Sequence, residues 1–259
     1  MPEEKDIVAE NMEKRRSTRG KHRGPGLFTK LLIALGLIVA LIIFSFSSLF
    51  TVDTINVEGN SYFTDDEIIN MAHATAGRNI IYHPEKSSIK KYLKKSPYIE
   101  DVSVHRKLPS TIVIRVKERE QVGAIVYGNE YLIIDKNGVL LRKTETKPKV
   151  TILKGITVSS IQLGEKVKAS DEDIFNNALK LINAMDDGNL YFVEIDMGEL
   201  FVKAYVYDTL VCTGTTKEML SAIKKERLQQ IIETLFSRNI KRGTIAISDD
   251  GYASFTPDV

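Results

Sequence analysis

The longest break in the alternation of polar and apolar positions is residues 31–52, LLIALGLIVALIIFSFSSLFTV, twenty-two positions without a charge, closed by Lys30 and Asp53. As a helix rising about 1.5 Å per residue it extends roughly 33 Å against roughly 30 Å of hydrocarbon, so one helix crosses a bilayer with its backbone groups paired internally. The pattern predicts a single transmembrane helix over residues 31–52. A cleaved secretory signal is the competing reading, but its apolar core covers about 7–15 residues before a small-residue cleavage site. This run is longer, and Ser45-Phe46-Ser47 matches such a site weakly, so an uncleaved anchor is the reading adopted. Gly36 and Ala40 form a small-xxx-small pair that permits close approach of a second helix.

Beyond the span the period shortens. Residues 54–58 alternate as a strand and stop at the turn pair Gly59-Asn60. A helix follows, with Thr64 as cap, Glu67 completing a capping box, Phe63 placed to staple onto Ile68, and Ile68, Ile69 and Ala72 as its buried face. A second helix is predicted from Pro84-Glu85, carrying Ile89, Tyr92 and Leu93 at helical spacing. Its other face holds Lys90, Lys91, Lys94 and Lys95, which read either as a solvated face or as one drawn to lipid headgroups or wall phosphates. Pro97 ends it, and residues 99–106 and 111–118 form a hairpin about Lys107-Leu108-Pro109-Ser110. In its second strand Ile112, Ile114 and Val116 alternate with Val113, Arg115 and Lys117.

Residues 121–257 read as a second domain. Val122, Ala124 and Val126 alternate as a strand, and residues 131–134 and 139–141 pair about Asp135-Lys136-Asn137-Gly138, where Asn-Gly suits the positive φ of a type I′ turn. A helix from Ser170, with Asp173 three residues on, buries Ile174, Ala178, Leu181, Ile182 and Met185. Strands follow at 191–196, 201–207 and 210–212, then one long helix over 217–238 with Leu220, Ile223, Ile231, Leu235 and Phe236 on one side. A last hairpin joins residues 244–248 to 252–255 through Asp249-Asp250-Gly251, with Pro257 beyond it. The fold class is α+β: a single transmembrane helix, a small β-α-α-β-β domain over 53–120, and a larger, mostly antiparallel β domain with two helices over 121–257.

Charge orients this plan. From Lys14 to Lys30 the chain has seven Lys and Arg and no acid, whereas Asp53 and Glu58 open the other flank. The positive-inside rule puts residues 1–30 in the cytoplasm and the two domains outside the cell membrane. The formal net charge of +2 divides into +3 on the first 30 residues and −1 on the rest. That tail is short of large apolar residues and reads as disordered; beside a span, its basic run suits the anionic inner leaflet rather than nucleic acid. Cys212 is alone, which excludes an internal disulfide, and it reads as a small buried residue rather than a reactive thiol.

Catalysis needs a nucleophile with its base, a metal cluster or a phosphate cradle. His73, His83 and His105 are scattered, one cysteine supports no zinc set, and there is no G-x-S-x-G, H-E-x-x-H or G-x-x-x-x-G-K-[ST]. Asp65-Asp66 and Asp186-Asp187 sit at helix ends, where dipole and turn chemistry account for them. No catalytic residue, cofactor, metal or small-molecule substrate is assigned. A tethered, strand-rich chain of this kind is suited to holding other proteins through an exposed sheet edge.

The run SPYIEDVSVHRKLPSTIVIRVKER at 96–119, with INVEGN at 55–60 and YLIIDKNGVLL at 131–141, resembles the FtsQ/DivIB family of bacterial division proteins, the first two segments falling in its POTRA domain and the third at the opening of its β domain. The order of parts, basic tail, single span, POTRA domain and β domain, is also similar. The resemblance implies a non-catalytic bitopic scaffold of the divisome, at the division septum. Such a scaffold binds partners of the FtsL and DivIC/FtsB type outside the membrane and, through them, helps control septal peptidoglycan synthases. It implies further that the partner-binding edge lies in the last hairpin: Thr244, Ile245, Ile247 and Ser248, then Asp250 in the turn, with Tyr252 and Phe255 as aromatic anchors. Ile245 and Ile247 read equally as internal sheet core. Two other readings stay open: a POTRA-bearing membrane assembly or translocation factor, and a wall-active enzyme with an unrecognised site.

Overall fold

A computed structural model of the chain describes residues 26–82, 86–249 and 252–258. The tail over 1–25, the helix start at Pro84-Glu85, His83, and the turn residues Asp250 and Gly251 lie outside the described residues.

Helix α1 (Leu27–Ser45) is exposed along its length and is the one helix among the described residues long and apolar enough to cross a membrane. Its 19 residues extend roughly 28 Å. It begins before Leu31 and stops at Ser45 rather than Val52, because the apolar residues beyond Ser45 serve a different core. A short 3₁₀ turn (Ser48–Phe50) follows, then Phe50 and Val52 pair with residues 77–80: Ile80 N donates to Phe50 O, Val52 N to Arg78 O and Gly77 N to Val52 O, each at 2.8 Å. Val52 is buried with Ile68, Ile80, Ile89, Leu93 and Ile114.

That core lies between a three-stranded sheet and two helices. The sheet has β1 (Thr54–Glu58), β2 (Ile99–Lys107) and β3 (Thr111–Glu118) in the order β1-β3-β2, with β1 parallel and β2 antiparallel to β3. Helices α2 (Asp65–Ala72) and α3 (Lys86–Leu93) cover it. The capping box forms as expected: Thr64 Oγ1 accepts from Glu67 N at 3.3 Å and the Glu67 carboxylate accepts from Thr64 N at 2.8 Å. The Thr64 amide and hydroxyl both donate to the Glu67 carboxylate and hold its carboxyl below the usual value. At the end of β3 the Glu118 carboxylate accepts from the amides of Ser61 and Tyr62 at 2.9 and 2.6 Å, fixing the loop that enters α2.

The larger unit is a nine-stranded sheet. Its strands are β4 (Gly123–Tyr127), β5 (Glu130–Ile134), β6 (Leu140–Thr144), β7 (Thr151–Lys154), β10 (Glu194–Met197), β11 (Val202–Tyr207), β12 (Leu210–Gly214), β13 (Gly243–Ile247) and β14 (Ala253–Thr256), in the order β14-β13-β12-β11-β10-β7-β4-β5-β6. Five of its eight pairings are antiparallel; β12–β13, β10–β7 and β4–β7 are parallel. A small ribbon of β8 (Val158–Ser160) and β9 (Lys168–Ala169) stands apart. Helices α4 (Glu172–Asp187), α5 (Thr216–Lys224) and α6 (Arg227–Ser237) cover one face.

There are three helices on this sheet, not two, because the run over 217–238 breaks where Glu226 takes a left-handed φ of 56°. Helix α4 is capped by Asp171, which accepts from the amides of Asp173 and Ile174, and its largest buried side chain is Phe175. The turn at Asp135 is not type I′: of its residues only Gly138 has positive φ, at 80°, and Asp135 Oδ1 accepts from the amides of Asn137 and Val139. A Cβ on Gly138 would lie 2.7 Å from Phe175 Cζ, so glycine is required there by both conformation and space. Residues 151–154, which carry no strand in the sequence pattern above, form β7 between β10 and β4.

The two sheets meet at a buried ion pair. Arg119, just past β3, donates from Nη1 to Asp135 Oδ2 at 2.6 Å, and Arg142 on β6 reaches Gln121 Oε1 at 3.4 Å. Asp135→Ala should cost about 3–5 kcal/mol, since it strands the Arg119 guanidinium and two turn amides together; the check is the urea midpoint of the fragment 47–259, with Asp135→Asn losing less. Cys212 on β12 is fully buried, and desolvation pushes its thiol up to about 12. A soluble disulfide reagent should therefore leave the native protein unlabelled at pH 8 and titrate one thiol only after denaturation.

Candidate partner-binding edge

The final hairpin carries the residues singled out in the sequence, and the sheet sorts them. β13 is internal, paired in parallel with β12 through Cys212↔Ile245 and antiparallel with β14 through Ile245↔Phe255. Ile245 and Ile247 are buried in the core with α5 packed on β13, and the main chain of β13 is already paired on both sides. The open edge belongs to β14. Thr244 is half-buried and Ser248 and Tyr252 are exposed; Asp250 lies outside the described residues.

Which groups of β14 face outward follows from its alternation. Ser248 N donates to Tyr252 O at 2.9 Å, and in an antiparallel ladder the pairs then alternate between hydrogen-bonded and non-hydrogen-bonded. By the register Ala246↔Ser254 and Thr244↔Thr256, residues 252, 254 and 256 bond inward to β13. The N–H and C=O groups of Ala253 and Phe255 therefore point away from the sheet. Pro257 comes next in that outward set and has no N–H to offer, which ends the edge.

Side chains alternate with the pleat. Tyr252, Ser254 and Thr256 are exposed, while Ala253 and Phe255 are half-buried against the core. Phe255 lies across Gly243, whose φ is 134°; a Cβ there would sit 2.5 Å from Phe255 Cε2, so this close approach needs glycine. Tyr252 is 62% exposed, with the Arg227 guanidinium of α6 3.9 Å above its ring, a cation–π contact that holds the ring at the hairpin tip. Beside the tip, Thr215 and Glu218 form the capping box of α5, and hydrogen bonds from Thr215 hold the Glu218 carboxyl low, with Asp249 adding to the effect. Ala253, Ser254 and Thr256 join the edge through the alternation of residues 252–256 up to Pro257, a signal the sequence carries without any motif. Among the described residues no group of three or more His, Cys, Asp and Glu gathers as a metal site.

Comparison with known proteins gives this arrangement relatives. Residues 50–119 match the family model described as POTRA domain, FtsQ-type. The cell division protein DivIB of Clostridium acetobutylicum is 32% identical over 212 residues, covering 78% of this chain and 81% of that one. The cell division protein FtsQ of Syntrophotalea carbinolica is 27% identical over 222 residues, covering 81% and 77%. A solved structure, the major extracytoplasmic domain of the trans isomer of DivIB from Geobacillus stearothermophilus, aligns with 48% of this chain and 99% of that one at 18% identity and a TM-score of 0.32. On the strength of an identity that persists through four-fifths of the clostridial protein, the chain belongs to the DivIB/FtsQ family of bacterial cell division proteins.

Proposed function

We propose that the chain is a non-catalytic bitopic scaffold of the divisome. Helix α1 anchors it with residues 1–30 in the cytoplasm, and the edge of β14 takes a strand from another bitopic division protein of the DivIC/FtsB type, in a complex that includes an FtsL-type protein. Through them it helps control septal peptidoglycan synthases at the division site. Membership in a family of cell division proteins supports the setting. The observation that carries the binding mode is the open β14 edge, where the Ala253 and Phe255 main-chain groups face outward beside exposed Tyr252, Ser254 and Thr256. An added strand gains affinity from main-chain bonds and specificity from alternate side chains.

Two substitutions separate this edge from the fold beneath it. Ala253→Pro removes one outward N–H and sets a ring in the path of an incoming strand while leaving the inward ladder bonds of β14 in place. Ser254→Asp adds a charge on the exposed face of the edge strand. Each is expected to weaken binding to the extracytoplasmic part of a DivIC-type protein by at least about tenfold, or about 1.4 kcal/mol, in a calorimetric titration. Unchanged affinity with an unaltered circular-dichroism spectrum would remove β14 as the docking strand.

A further inference from the structure

We propose that the end of the three-stranded sheet nearest α1 is a membrane-docking surface, with Lys86, Arg106 and Lys107 on the phosphates of an anionic bilayer and Leu108 inserted between headgroups. This rests on the reading that α1 spans that bilayer.

Three connections place this surface at the end of the span. The Asn79 amide donates to Ser45 O, the last residue of α1, at 2.9 Å; Tyr82 Oη hydrogen-bonds Ser45 Oγ, and its ring stacks on Phe46 with centroids 4.5 Å apart. The hairpin turn between β2 and β3 lies at the same level, because Asp53 N donates to Ser110 O at 2.9 Å and β1 and β3 run parallel from Thr54↔Thr111. Arg106 ties the turn to the Tyr82 segment, donating from Nη1 to Ile81 O at 3.3 Å. Lys86 follows four residues after Tyr82, within roughly 14 Å by chain length.

The chemistry of this end fits a headgroup layer. Leu108 is 61% exposed at the turn tip, beside exposed Lys107 and half-buried Arg106. Tyr82 and Phe46 are exposed aromatics, 42% and 64%, at the helix end, where amphipathic rings settle at a membrane–water interface. The acid that the described residues place here is Asp53, so the cations Lys86, Arg106 and Lys107 dominate. An apolar side chain set among cations is the pattern of interfacial binding to anionic lipid.

The geometry also sets apart Lys94 and Lys95, which lie in the turn just beyond α3 and not on its face. Lys94 pairs with Asp101 at 3.2 Å, six residues up β2 from Lys107, or roughly 20 Å at about 3.4 Å per residue. That exceeds two Debye lengths of about 8 Å at physiological salt, so Lys94 and Lys95 stand outside the field of the headgroups.

The test is Leu108→Cys in the full-length protein, labelled with an environment-sensitive dye and reconstituted into phosphatidylcholine vesicles with or without phosphatidylglycerol; buried Cys212 takes no label. A blue-shifted emission, quenched by shallow spin-labelled lipid, is expected with phosphatidylglycerol, and its loss is expected in phosphatidylcholine alone, at high salt, and in the combined variant Lys86→Gln, Arg106→Gln, Lys107→Gln. A label at Lys95→Cys should stay aqueous throughout. An aqueous signal at position 108 with phosphatidylglycerol overturns the proposal, as does an equal shift without it, or a shift produced in detergent by soluble polyphosphate but not by vesicles. The salt series needs no change to the three cations and so stands if their combined variant misfolds. A dye at Val39→Cys separates the failures: aqueous there, the spanning reading is wrong; lipid-exposed there and aqueous at 108, only the docking is.

Discussion

The structure depends on the carboxylate of Asp135. One oxygen accepts from the Asn137 and Val139 amides and shapes the β5–β6 turn, while the other takes the Arg119 guanidinium that ends the three-stranded module. A buried charge of this kind tolerates only small displacements, since each lost hydrogen bond leaves desolvation uncompensated. The junction therefore couples the conformation of a turn in one sheet to the position of the other. Arg119 N also donates to Tyr98 O at 2.7 Å, so both ends of the Arg119 residue are held.

A nine-stranded open sheet has two edges, and they are managed differently. At β6, Leu140 N donates to Glu165 O and Gly164 N to Leu140 O at 2.9 and 2.8 Å, so the loop entering β9 occupies part of that edge. No comparable cover lies along β14 among the described residues. Its defence against unwanted pairing is brevity and Pro257, devices that limit an edge to a few main-chain groups without closing it. That difference favours β14 over β6 as the proposed partner site.

Local chemistry was legible in the sequence. The Thr64-Glu67 box and the β2–β3 hairpin rest on residues a few positions apart and formed as their patterns required, while the stripe of α4 kept Ala178, Leu181, Ile182 and Met185 but buries Phe175 and Leu179 in place of Ile174. What depended on distant neighbours was not. Residues 244–248 look the same whether they form an edge or a centre; the parallel pairing with β12, some thirty residues earlier, makes Ile245 core. The end of the span was misplaced because Phe50 and Val52 are as apolar as lipid-facing residues while belonging to a protein core, and composition does not distinguish those two uses. The break at Glu226 lies in Lys224-Lys225-Glu226, with neither glycine nor proline to announce it.

Strand order gives the sheet one more property. The module anchored to α1 is fastened at the β5–β6 turn, while β14 lies at the far end of an order that runs through nine strands. Eight steps of about 4.8 Å separate β6 from β14, roughly 38 Å before twist. The sheet is thus a spacer whose length is counted in strands, and gaining or losing one hairpin would shift the open edge by roughly 10 Å relative to the tethered end.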